Sequence, residues 1–206
     1  RLNCWNFLAD DLSVDPRVYG ISGHQWNRIP AQVAEMKKDG FLPEVISILM
    51  GTNDFNGNVP MGEWDDVTKR TLSEDPATFR GRVNAGIRAV REAFPTAAIL
   101  LLTPVHRGFA NFDATNVQPD ESYANTCGLF IDDYVAAVAE AGRIHAATVV
   151  DLFADSGVYP LCPAHARDYF NSDRKEGRTD VLHPNTAGHR RMADAIRPVL
   201  ENLLAR

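Results

Sequence analysis

The sequence predicts an α/β sandwich, a parallel sheet covered by helices on both faces. Helical and strand-like segments alternate from one end of the chain to the other. The strand-like segments are continuous apolar runs rather than alternating ones, as strands buried on both faces must be. A chain of 206 residues, 45% hydrophobic and 23% charged, has enough apolar material for the core of a single domain. No repeat, low-complexity tract or linker divides it, so one domain over residues 1–206 is expected.

Residues 4–12 carry helical spacing through Trp5, Leu8 and Leu12, and 17–21 form a short strand-like run after Asp15-Pro16. A helix over 25–38 follows, with Ile29, Val33 and Met36 on its apolar face and Gly40 as its stop. The run 45–50 is β-branched and aliphatic, and reads as a buried strand. Asp75-Pro76 offers an N-cap and a first-turn proline to a helix over 75–94, in which Phe79, Val83, Ile87, Val90 and Phe94 recur at steps of three and four. A strand over 97–103, a helix over 120–141, a strand over 147–152 and a last helix over 185–204, disturbed at Pro198, complete the order. Three long connections, 55–74, 105–119 and 153–179, follow strands. In open α/β sheets, loops beyond the carboxyl ends of the strands form the ligand site.

Charge and composition exclude several classes of function. A net charge of -6 with scattered cations argues against a partner that is nucleic acid or an anionic membrane surface. No apolar run approaches the length of a membrane span; the longest, 97–102, suits a strand. Three cysteines, Cys4, Cys127 and Cys162, lack metal-site spacing and make a disulfide framework improbable, leaving free and mostly buried thiols. There is no phosphate-binding glycine loop and no clustered set of metal ligands, so no cofactor is expected. His24, His106, His145 and His165 stand isolated and read as partly exposed loop or helix residues.

Chemistry concentrates in Asp180-Val181-Leu182-His183-Pro184-Asn185, which sets a carboxylate three residues before a histidine. A carboxylate beside an imidazole fixes its tautomer and stabilises the cation it forms on taking a proton. The same spacing also serves helix capping, and Asn185 is a good N-cap for the last helix. Gly51-Thr52-Asn53-Asp54 directly follows the run 45–50. There an asparagine amide can donate to a developing oxyanion, although a plain turn uses the same residues. Gly20-Ile21-Ser22-Gly23-His24 is a weaker signal of the same kind, with a backbone N–H left unobstructed by glycine.

In this order the three motifs make the chain resemble the SGNH hydrolases, also called the GDSL esterase and lipase family. The resemblance spans essentially the whole chain and implies a three-layer α/β/α sandwich with a flavodoxin-like parallel sheet of order 2-1-3-4-5. It implies Gly20 and Asn53 as oxyanion-hole donors and Asp180 with His183 as two members of a catalytic triad. It also implies a serine esterase that cleaves carboxylic esters through an acyl-enzyme. Small acyl groups on a polar carrier, acetyl groups on carbohydrate among them, are the expected substrates.

One block of the family pattern is absent. No Gly-Asp-Ser occurs in the 206 residues, so no nucleophile is assigned in this chain. A helix of the character of Trp5-Asn6-Phe7-Leu8-Ala9-Asp10-Asp11-Leu12 closely follows the nucleophile in the family. The resemblance therefore places the serine several residues before Arg1, with the first strand. The expectation is truncation, and the chain as given is expected to be inactive. The alternative is a catalytically inactive carbohydrate-binding or interaction domain.

Overall fold

The computed structural model describes residues 2–66, 71–172 and 178–205. The elements run α1 (Cys4–Leu12), a 3-10 turn (Trp26–Arg28), α2 (Ile29–Lys38), β1 (Val45–Leu49), α3 (Thr52–Asn56), β2 (Asp65–Asp66), β3 (Thr71–Leu72) and α4 (Phe79–Ala93). They continue with β4 (Ala98–Leu102), β5 (Ala110–Asp113), β6 (Asn116–Gln118), α5 (Ile131–Ile144), β7 (Thr148–Val150), α6 (Leu152–Asp155), α7 (Pro163–Tyr169), β8 (Thr179–Asp180) and α8 (Thr186–Leu204). The class is the expected one, a mixed α/β fold built on a parallel sheet. The chain divides into two compact units.

One unit comprises Val18–Pro104 and Asn125–Val149 and holds β1, β4 and all of β7 but Val150, strands of a parallel sheet in the order β1-β4-β7. β1 and β4 run in register from Val45 opposite Ala98 to Leu49 opposite Leu102. Leu100, Leu101 and Leu102 are fully buried, which is why the 97–103 run could not alternate. α4 packs on α2 and α5, and α5 on β4. Val83, Ile87 and Val90 of α4 and Tyr134 and Val138 of α5 are sealed from solvent. Tyr134 meets Phe55 and Phe79 edge-on, at centroid distances of 5.8 and 4.8 Å, while its hydroxyl donates to Val59 O. Its phenol is pushed up to about 12, first by burial.

The other unit comprises Arg1–Arg17, Val105–Ala124 and Val150–Arg206. Its centre is α8, packed on α1, α7 and α6 through buried Leu8, Leu152, Met192 and Ile196. A small antiparallel sheet of order β6-β5-β8 lies in the same unit, with Ala110 opposite Asp180 and Asn111 opposite Thr179.

Several boundaries depart from the sequence reading, each for a local reason. Residues 17–21 form no strand. Val18 and Ile21 are 61% and 58% exposed, and the carbonyl of Tyr19 is taken by Gln32 Nε2 at 2.9 Å rather than by a ladder. The helix expected from Asp75 begins at Phe79. Asp75 instead closes a turn, accepting from Ala77 N at 2.9 Å, and Thr78 is the N-cap. The helix expected from residue 120 begins at Ile131. Asp120 and Asn125 turn their side chains onto the amides of Ser122, Cys127 and Leu129, which holds 120–130 in successive turns. The long connections also hold structure that short-range patterns do not reveal, the β5–β6 hairpin with β8 above all. Of the free thiols, Cys4 is buried and Cys127 exposed, against the expectation that most would be buried; burial lifts the Cys4 thiol to about 11.

Candidate functional site

In the first unit the two glycine-containing loops are tied together. Gly51, the N-cap of α3 two residues beyond β1, stands at φ 127°, and a Cβ there would lie 2.9 Å from Pro104 Cγ, so only glycine lets the chain turn into α3 at this point. Asn53 stands in the first turn of α3, half-buried. Its Nδ2 donates to His24 O at 3.0 Å, and its own carbonyl accepts from Gln25 Nε2 at 2.8 Å. A side-chain amide has two N–H groups, so this anchor leaves one available to a substrate oxygen. Gly20 lies four residues before His24, exposed, with open space where a side chain would be.

Behind Asn53 stands a buried polar network that the sequence did not disclose. Asp54 is 0% exposed, accepts from Trp26 N at 3.1 Å and pairs with Arg82 at 3.1 Å. Arg82 also donates to Gln25 Oε1 at 3.0 Å, closing a ring of contacts from α4 to the loop that grips Asn53. Burial raises the Asp54 carboxyl above the ordinary carboxylate range, and the Trp26 amide and Arg82 act against that shift. Only the adjacency of Asp54 to Asn53 hinted at this network; Arg82 lies 28 residues away.

In the second unit the Asp180–His183 pair is assembled. Asp180 is 0% exposed, and His183 keeps 55% of its side chain open. Asp180 Oδ1 and Oδ2 lie 3.0 and 3.2 Å from His183 Nδ1. Oδ1 also accepts from the backbone N–H of His183 at 3.0 Å and of Leu182 at 3.3 Å. An ionised carboxylate only accepts, so Nδ1 carries the proton and Nε2 presents a lone pair. Phe112 lies 5.6 Å from the imidazole, centroid to centroid.

The ends of this segment are fixed by its neighbours in the same unit. Gly108 N donates to Val181 O and Val181 N to Phe109 O, at 2.9 and 3.1 Å. His183 O accepts from Asn171 N at 3.2 Å. Asn185 caps α8 as expected: its Oδ1 accepts from Ala187 N and Gly188 N, and its Nδ2 donates to Asp168 O and Phe170 O. Capping and presentation of the histidine are thus done by one loop. His189, one turn into α8, is lowered from the ordinary histidine value first by burial and then by the charge of His183.

A second histidine–carboxylate pair occurs in this unit. His106, read from sequence as isolated, has Nδ1 2.9 Å from Glu121 Oε1, across fifteen residues of chain. That spacing matches no helix or strand period, so no sequence signal marked it.

A family model, the GDSL-like lipase/acylhydrolase family, matches residues 4–191. No curated protein sequence is similar enough to the chain to match it. Among solved structures, a protein from Lactobacillus plantarum shares 25% identity, covering 98% of this chain and 88% of its own, with a TM-score of 0.73. A possible lipase from Chitinophaga pinensis shares 24% identity over 95% of this chain and 86% of its own, with a TM-score of 0.72. An acetyl xylan esterase shares 19% identity over 96% and 90%, with a TM-score of 0.63. The last two likenesses show a common fold. Among the described residues no helix is long and apolar enough to cross a membrane.

Proposed function

Since the chain belongs to the GDSL-like lipase/acylhydrolase family, we propose that the protein is a serine esterase removing small acyl groups, acetyl above all, from a carbohydrate or other polar carrier. The observation that carries this reading is the buried Asp180 at 3.0 Å from Nδ1 of a half-open His183. A carboxylate so placed holds the neutral tautomer whose Nε2 can accept a proton from a hydroxyl, and it stabilises the imidazolium that results. Serine attack on the ester carbonyl gives a tetrahedral oxyanion, which collapses by breaking the bond to the alcohol; the alcohol leaves with the proton held on His183, and water hydrolyses the remaining acyl-enzyme with His183 again as base. Asn53 and the Gly20 N–H are the proposed oxyanion donors. Carbohydrate as the carrier is supported by the acetyl xylan esterase among the structures of the same fold.

The nucleophile is proposed to lie ahead of Arg1, because the 206 residues contain no Gly-Asp-Ser. By the same reading these residues alone hydrolyse nothing through a serine acyl-enzyme. That absence also favours a second reading, a carbohydrate-binding domain without turnover. The test is to express the natural gene product from its own start codon and assay 4-nitrophenyl esters of increasing acyl length together with acetylated xylobiose. Hydrolysis of acetyl esters, with covalent labelling of a serine upstream of Arg1 by a fluorophosphonate, is expected. Binding of the sugar with neither turnover nor labelling would overturn the esterase reading in favour of the second.

A further inference from the structure

We propose that His106 is a substrate-binding residue that accepts a hydrogen bond from a hydroxyl of the ester's alcohol part, so that the carrier is polyhydroxylated. This rests on the esterase reading above and adds a subsite to it.

The His106 ring is held at Nδ1 by a carboxylate and against two aromatic rings. Its Nδ1 is 2.9 and 3.0 Å from the two oxygens of Glu121, a largely buried carboxylate. Glu121 is itself fixed, since Oε2 accepts from Arg107 N at 2.9 Å and its backbone N–H donates to Arg107 O at 3.2 Å. The imidazole is tilted against Phe153, with centroids 3.6 Å apart and planes 32° from parallel, and meets Tyr159 in a T-shaped contact at 5.0 Å. These contacts fix the ring's rotation as well as its position.

The tautomer follows from the partner. Glu121 accepts, so Nδ1 bears the hydrogen and Nε2 is left as an acceptor. About a fifth of the side chain is open to solvent, 20% by area. Glu121 thus braces the loop at Arg107 N and sets the ring at Nδ1. An imidazole with a fixed lone pair is suited to take an O–H from a ligand. Tyr159, 44% exposed, is in contact with the imidazole, and Phe109, three residues further along the chain, is 43% exposed. Such rings offer flat apolar faces to the C–H surface of a sugar.

The subsite belongs to the same unit as His183 and is joined to it through the backbone. Gly108, two residues after His106, lies against Val181 so closely that a Cβ would fall 2.6 Å from Val181 Cγ1. The paired amides Gly108 N to Val181 O and Val181 N to Phe109 O run directly into Asp180. The loop that carries His106 is thereby tied to the segment that carries Asp180 and His183.

The experiment uses the natural gene product with His106→Phe, which keeps the ring face and removes the acceptor, and His106→Gln, whose amide reaches the Nε2 position. The readout is the ratio of kcat/KM for acetylated xylobiose to that for 4-nitrophenyl acetate. In His106→Phe the ratio is expected to fall roughly three- to tenfold, the range of one hydrogen bond, with the loss in KM. His106→Gln is expected to recover part of it. A ratio unchanged in both variants overturns the proposal, including when both substrates suffer equally. In parallel, methyl β-D-xylopyranoside is titrated into the unmodified protein and the His106 ring protons are followed by NMR. A saturable shift supports the subsite; its absence overturns it. Should neither ester be hydrolysed by the unmodified protein, the esterase reading fails while the titration still decides this one.

Discussion

One oxygen of Asp180 serves His183 twice: Oδ1 lies 3.0 Å from the imidazole Nδ1 and 3.0 Å from the backbone N–H of the same residue. The acid therefore fixes where the histidine's backbone sits as well as how its ring is turned. Asp180→Asn keeps an acceptor for the backbone but can present an amide N–H to the ring, which favours the wrong tautomer. Turnover of the natural gene product is expected to fall by about 10³–10⁴-fold, while the thermal midpoint moves little. Steady-state kinetics and a melt of the same preparation separate the two effects.

Asn53→Ala is expected to lower kcat by roughly a hundredfold or more, equivalent to ~2.7–4 kcal/mol of transition-state stabilisation. The structure adds a second consequence, since the substitution also removes the bond to His24 O. A loss of about 1 kcal/mol in folding stability is expected from that bond. Full activity in this variant would remove Asn53 from the mechanism.

Arg82 is the test of the network behind Asn53. Arg82→Met leaves Asp54, 0% exposed, without its charged partner. A loss of about 3–5 kcal/mol is expected in urea denaturation, as for other broken buried pairs. The double variant Arg82→Met/Asp54→Asn should recover a large part of it, because the stranded charge is gone. Equal stability of the single and double variants would mean that Asp54 is not the source of the loss.

The histidines set an acid limit. Burial lowers His189 and His145 from the ordinary value of 6.5, with His183 and Arg91 adding to the respective shifts. A depressed folded value means that the unfolded chain protonates first. The stability these groups contribute is present above about 6.5 and is lost as pH falls through their folded values. Thermal midpoints measured from pH 8 to 5 should fall below pH 6.5. The fall should be shallower in His145→Gln, whose amide can still meet Asn84 Oδ1, now 2.7 Å from the ring.

Gly51→Ala is expected to destabilise by about 1–3 kcal/mol, the usual cost of a side chain in a disfavoured backbone region. Here the close approach of Pro104 adds to that strain. Circular dichroism melts provide the check.

Much of the fold was legible because the parallel strands and the long helices carry their own periodicity. Leu100, Leu101 and Leu102 announce a doubly buried strand, and Val83, Ile87 and Val90 one face of α4. The pairs that lie close in sequence, Asp180 with His183 and Asn185 with α8, were legible for the same reason. What was hidden depends on residues distant along the chain. Nothing local says that Arg82 reaches Asp54 or that His106 meets Glu121. The helix start misplaced at residue 120 shows the opposite error, where helix-compatible residues are held in turns by the side chains of Asp120 and Asn125.

Asn185 takes part in hydrogen bonds with six different residues, through its side-chain oxygen, its side-chain nitrogen, its carbonyl, which accepts from His189 N, and its own amide, which donates to Tyr169 O. Aspartate could reproduce the two accepted bonds but not the two donated ones, glutamine is a methylene too long, and serine or threonine cannot reach both ways. Under full randomisation the position should hold close to the maximum information a single site can carry. The alphabet offers one letter that writes this joint, two residues from the imidazole it aims.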